Sequence, residues 1–130
     1  MSSAQLKAEA QILRQPIYWA GPMKGFRYEF RRRIRGGDVY VRYLPRGETL
    51  EAGAKDLIVG TYPFTGAFDG LKRAAKGRAV AGPRGSIIYV RPGRARSAFV
   101  AFPGVDYQIE VYAPNPAVAK EVAGRVRPVG

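Results

Sequence analysis

Phe26-Arg27-Tyr28-Glu29-Phe30-Arg31 alternates strictly between apolar and charged residues. A period of two puts Phe26, Tyr28 and Phe30 on one side of an extended chain and Arg27, Glu29 and Arg31 on the other. That is the pattern of a strand with one solvated face. Arg35-Gly36-Gly37-Asp38 follows, and paired glycines tolerate the positive φ of a tight reversal. Val39 to Leu44 then returns as the partner strand. Further strands are predicted at Ile17–Ala20, Asp56–Tyr62, Ala79–Ala81, Ser86–Val90, Ser97–Phe102 and Asp106–Tyr112. Turns rich in glycine and proline, such as Gly21–Gly25, Gly82–Gly85, Pro92–Arg96 and Pro103–Gly104, separate them.

Three segments carry helical spacing. Ala4 to Arg14 mixes Leu6, Ala8, Ala10, Ile12 and Leu13 with polar residues, with Ser3 as its cap and Pro16 as its stop. Thr65 to Lys76 carries the stripe Ala67, Phe68, Leu71, Ala74 and Ala75, and Gly77 ends it. Gly70 lies inside this segment and weakens it by about 1 kcal/mol relative to alanine. Asn115 caps a last helix over Pro116 to Ala123, with proline at the favoured first position and Gly124 closing it.

The order helix, strand, strand, strand, strand occurs twice, over 3–62 and 65–112, before the third helix. Short strings echo one another: Ala20 to Gly25 against Ala81 to Gly85, and Asp56…Tyr62…Ala67…Gly77 against Asp106…Tyr112…Ala117…Gly124. This reads as an internal repeat. The expectation is an α+β fold in one compact domain over residues 1–130. Antiparallel sheet, as one long sheet or two, would carry helices on one side. The inferred topology is similar to saddle-shaped or cystatin-like arrangements, without a shared motif, so no functional residue is carried over.

Composition changes the picture by exclusion. The 130 residues include no histidine and no cysteine, and 22 Lys+Arg stand against 10 Asp+Glu for a formal charge of +12. The usual general base near neutral pH, the thiol nucleophile and the soft metal ligands are all missing. The charge points to an anionic partner. Genomic base composition is the alternative origin of so much arginine and alanine. No apolar run reaches the roughly 18 residues of a membrane span, and the first residues lack a signal-peptide core. The chain is expected to be cytoplasmic, with an excised extracytoplasmic domain as the alternative.

The densest positive run is Arg31-Arg32-Arg33-Ile34-Arg35, flanked by Arg27 and followed by Arg42 and Arg46. Guanidiniums grouped on a strand end and hairpin can grip phosphates bidentately. With Phe26, Tyr28, Phe30, Tyr40 and Tyr43 on adjacent strands, they would form a platform for single-stranded nucleic acid. The opposing reading makes the aromatics core and the arginines a solvated face, and alternation favours it for Phe26, Tyr28 and Phe30. Lys72, Arg73, Lys76, Arg78 and Arg84 form a second cluster. Arg91, Arg94 and Arg96 form a third, in a loop suited to a phosphate or lipid head group.

Other chemistry finds little support. There is no phosphate-binding loop, and Gly36-Gly37 lacks the strand-to-helix setting of a dinucleotide fingerprint. Glu48, Glu51 and Asp56 are oxygen ligands without a metal-loop spacing, and pairing with Arg46 and Lys55 is expected instead. No serine sits in a nucleophile elbow. No carboxylate pair is singled out for glycoside hydrolysis. No catalytic residue, metal or cofactor is therefore assigned. Tyr18-Trp19, Tyr62-Pro63-Phe64 and Phe68 are expected to fill the core, with an apolar ligand groove as the alternative and Trp19 partly exposed beside its Gly-Pro turn.

The leading expectation is a non-enzymatic binding or structural domain that recognises a protein or an anionic polymer. The next is nucleic-acid binding through Arg27, Arg31, Arg32, Arg33, Arg35 and Arg42. An envelope- or lipid-associated module and a small enzyme using carboxylates or a cofactor follow. Exposed strand edges invite homodimer formation, which the net charge opposes at low salt.

Overall fold

The computed structural model describes residues 1–33, 35–46 and 56–130. The elements run α1 (Ser3–Leu13), β1 (Tyr18–Trp19), β2 (Phe26–Arg32), β3 (Val39–Pro45), β4 (Ile58–Pro63), α2 (Ala67–Ala75), β5 (Val80–Ala81), β6 (Ile87–Tyr89), β7 (Ser97–Ala101), β8 (Tyr107–Tyr112), α3 (Pro116–Ala123) and β9 (Arg127–Pro128). The fold is α+β. Seven strands form one antiparallel sheet in the order β2-β3-β4-β8-β7-β6-β5, and β1 pairs with β9 in a separate two-stranded ribbon. Among the described residues no helix is long and apolar enough to cross a membrane.

Local chemistry explains most boundaries. Ser2, one residue before the expected cap, accepts from the Gln5 amide while the Gln5 side chain accepts from the Ser2 amide. This reciprocal box starts α1. Arg33 donates its amide to the Asp38 carbonyl at 2.8 Å, closing the β2–β3 turn. Gly36 and Gly37 both take positive φ there, as paired glycines allow. Asn115 caps α3 through the Ala117 amide, and Pro116 opens it.

Strand register defines the two faces. Val39 pairs with Thr61, Val59 with Val111, and Ala98 with Val111, so the inner face is continuous across the sheet. Helices α1 and α3 and the β1–β9 ribbon cover it. One buried cluster joins Leu6, Tyr28, Tyr43, Val59, Ile109, Val122 and Val126. Trp19 is in it at 3 % exposure, so the partial exposure expected beside the Gly-Pro turn is incorrect. The indole meets Tyr28 edge-on at 5.3 Å. Tyr28 and Tyr43, edge-on at 5.2 Å, also carry polar tips. Tyr28 Oη accepts from the Met23 amide, while Tyr43 Oη accepts from Ala20 and donates to the Gly21 carbonyl. These bonds hold the 20–23 turn under the sheet.

The helices lie on the sheet, but they do not share one side. The apolar stripe of α2, Ala67, Leu71 and Ala75, packs on Tyr89, Phe99 and Ala101 of the outer face. Strand alternation makes Phe99 and Ala101 outward while Ala98 and Val100 point inward. This arrangement also separates the two sequence halves. The element order repeats, yet β1 leaves the large sheet whereas β5 stays in it, and α1 and α2 occupy opposite faces. An antiparallel seam between β4 and β8 that related two equal halves would keep both helices on one face. As units, the halves are not equivalent.

Candidate anion-binding surface

Covering by α2 extends over β6 and β7 and reaches β8. The outer face of β2, β3 and β4 carries no helix among the described residues. Two cross-strand rows organise it. In register, one row runs Arg31, Tyr40, Gly60, Glu110, Phe99 and Tyr89. The next runs Glu29, Arg42, Ile58, Tyr112 and Ser97. Side chains on one row, and on neighbouring rows, come within reach of one another. Between them lies a shallow depression of about 290 Å³ lined by Glu29, Arg31, Tyr40, Arg42 and Ile58.

The arginine run is divided by the same alternation. Arg27 and Arg31 are exposed on the outer face of β2. Arg31 pairs with Glu29 at 3.0 Å. Arg42 joins them from β3 and reaches Asp56 at 3.1 Å, while its Nε–H is buried without an acceptor. Arg32 has the inner-face parity and is exposed at the strand end. Arg33 stands on the turn, 3.6 Å from Asp38, and Arg35 is exposed in the same turn. Arg94 and Arg96 are exposed in the β6–β7 turn, at the opposite end of the sheet from the Arg33–Asp38 turn. The structure thus brings together Arg27, Arg31 and Arg42, and separates them from Arg32, Arg33, Arg35, Arg94 and Arg96.

The aromatic partners change as well. Phe26, Tyr28 and Tyr43 are buried in the inner core and Phe30 packs against it, so none of them joins a platform with the arginines. Tyr40 does, and Tyr62 and Tyr112 share its face by register. Tyr62 reclines along β4 over Gly60, where an added Cβ would stand 2.7 Å from its Oη. Tyr40 meets the Tyr62 ring edge-on at 5.8 Å.

The centre of the outer face is a polar lock. Glu110 accepts from Tyr62 Oη at 2.7 Å on one oxygen and from Ser97 Oγ at 2.6 Å on the other. Burial and donation to this carboxylate hold the Tyr62 phenol well above its ordinary pKa of 10.0. Two donors on separate oxygens keep the half-buried carboxylate hydrogen-bonded without a paired cation among the described residues. Sequence reading named Tyr62 only as an aromatic and missed Glu110, Ser97 and Gly60. An outward glycine two residues before a tyrosine was the available signal.

Asp56 is committed to Arg42, and Glu48 and Glu51, its suggested companions for a divalent cation, lie outside the described residues. Among the described residues no three carboxylates converge. Tyr18 stacks on Phe102 at 5.1 Å within the core, whereas Phe64 is 47 % exposed. No family model, curated protein or solved structure matches this chain.

Proposed function

We propose that this protein is a non-enzymatic binding domain that receives an anionic polymer on the uncovered half of its outer sheet face. The observation that carries the reading is the grouping of Arg27, Arg31 and Arg42 beside a shallow, open depression. A polymer backbone needs an accessible track of positive charge rather than a deep cavity. The depression is shallow, Arg31 and Arg42 line it, and Arg27 is exposed two residues beyond Glu29 on the same face of β2. Glu29 and Asp56 orient two of the three guanidiniums, and an incoming phosphate or sulfate competes with those carboxylates.

A second reading makes the polymer single-stranded nucleic acid. Tyr40 on the arginine row favours it, because an aromatic ring beside guanidiniums can stack a base while the charges hold phosphates.

The test is binding of labelled single-stranded and duplex oligonucleotides and of heparin across a salt series. Arg27→Ala/Arg31→Ala should weaken every polyanion about tenfold and lower the salt slope by about two. Arg94→Ala/Arg96→Ala, in the β6–β7 turn and separated from β3 by β4 and β8, should change little. Tyr40→Ala should weaken single strands selectively if bases stack there. Equal losses in both arginine pairs would sink the localised site. Absence of polyanion binding near physiological salt would redirect the search to protein partners.

A further inference from the structure

A second site lies at the opposite edge of the sheet. Strand β5 has only two residues, and it pairs with β6 at Ile87 and Ile88. Beyond Ile88, no strand among the described residues pairs with that flank of β6. A groove of about 330 Å³ opens there, with Val80, Ile88 and Tyr89 in its apolar lining. Its volume is at the lower end for small-molecule sites. Val80 is 48 % exposed and leaves an aliphatic side chain open at the mouth of the groove.

Three cations border this apolar lining. Arg78 comes from the α2–β5 connection, Arg91 from the end of β6 and Lys120 from α3. No acidic side chain lines the groove. The ion pairs among the described residues involve other guanidiniums, so all three cations lack a carboxylate partner there. Arg91 is oriented by the Phe99 ring, with its guanidinium carbon 5.0 Å from the centroid.

We propose that this groove binds a small amphiphilic anion, a single acidic head on a short hydrocarbon body. The head meets Arg78, Arg91 and Lys120, and the body lies along Val80, Val90 and Pro92, the apolar lining residues not already buried in the core. Apolar contact supplies the part of affinity that grows with chain length, and the three cations select the sign of the head. This site is independent of the polymer surface, which lies on other strands.

The test is an NMR titration of labelled protein with acetate, hexanoate, octanoate and octylammonium. Octanoate should shift the amides of residues 78–80, 88–91 and 120, leaving β2 and β3 still. Affinity should rise about fourfold per methylene, and octylammonium should not bind. Arg78→Gln/Lys120→Gln should weaken octanoate about tenfold. Val80→Glu should also weaken it while keeping all three cations, and thermal melts check that each variant is folded. Octyl phosphate tests the nature of the head, and binding of either acid supports the site. Equal binding of acetate and octanoate, binding of octylammonium, or shifts centred on Arg27 and Tyr40 would each overturn it. So would recruitment to anionic vesicles without any response to the free octyl acids.

Discussion

Gly60 shows how one missing side chain shapes a face. Tyr62 can recline toward Glu110 only because nothing projects from Gly60. Gly60→Ala should lift the ring and break its bond, costing about 1–3 kcal/mol in chemical denaturation. In Gly60→Ala/Tyr62→Ala the losses should be clearly less than additive, because the clash disappears with the ring. Additive losses would mean that the two residues do not meet.

Three phenols also tie stability to alkaline pH. Burial raises the pKa of Tyr18, Tyr43 and Tyr62 above the ordinary 10.0, with donation to Glu110 adding to the shift of Tyr62. Above pH 10 the unfolded chain loses these protons while the folded chain keeps them. Their stabilisation is therefore complete below pH 10 and is lost as pH rises through the folded-state values. Denaturation midpoints should fall between pH 9 and about 11.5. Absorbance titration should show Tyr43 and Tyr62, two of the eight tyrosines, ionising only with unfolding, and Tyr18 ionising above the ordinary range. Full titration of all eight before unfolding would contradict the buried assignment.

At the scale of elements, helices depend on caps supplied from outside as well as from within. The N-cap of α2 is Gly66, which has no side chain to offer. Asp106, on the β7–β8 turn, accepts from the Gly66 amide at 2.9 Å and its backbone carbonyl accepts from Phe64. Asp106→Ala should destabilise the protein by about 0.5–1.5 kcal/mol, the usual net contribution of one such hydrogen bond. An unchanged melting curve for the Asp106 variant would show that this long-range cap contributes nothing. The Asn115 cap was legible because it is adjacent in sequence to the helix it starts. The Asp106 contact was not, since forty residues separate donor from acceptor.

At the scale of the molecule, the seam between β4 and β8 joins the two halves of the sheet, and one buried cluster spans both. Unfolding should therefore be a single transition. The lone Trp19 is within this shared cluster, so its fluorescence and the far-ultraviolet dichroism should change together. Two resolved transitions would mean that the halves are independent units. The β1–β9 ribbon also belongs to this scale. Its two strands are two residues each, too short for a period-two pattern to reveal, and Arg127–Pro128 was not anticipated as a strand.

Alternation and turn chemistry by themselves determined the α+β class and nearly every strand and helix, because the side-chain period and the local caps act between near neighbours. They also placed Phe26, Tyr28 and Phe30 toward the core and Arg27, Glu29 and Arg31 away from it. Only tertiary structure decided which outward faces stay open. The alternation of β7 leaves Phe99 and Ala101 as apolar on their side as Ala98 and Val100 are on theirs. A strand apolar on both faces signals two covers without saying which helix supplies each. Packing α2 on Phe99 and Ala101 closed one half of the outer face and left Arg27, Arg31 and Arg42 on the other. Register across β2, β3 and β4 then set their neighbours. A contiguous arginine run became several separate directions, because successive residues on an extended chain point to opposite sides.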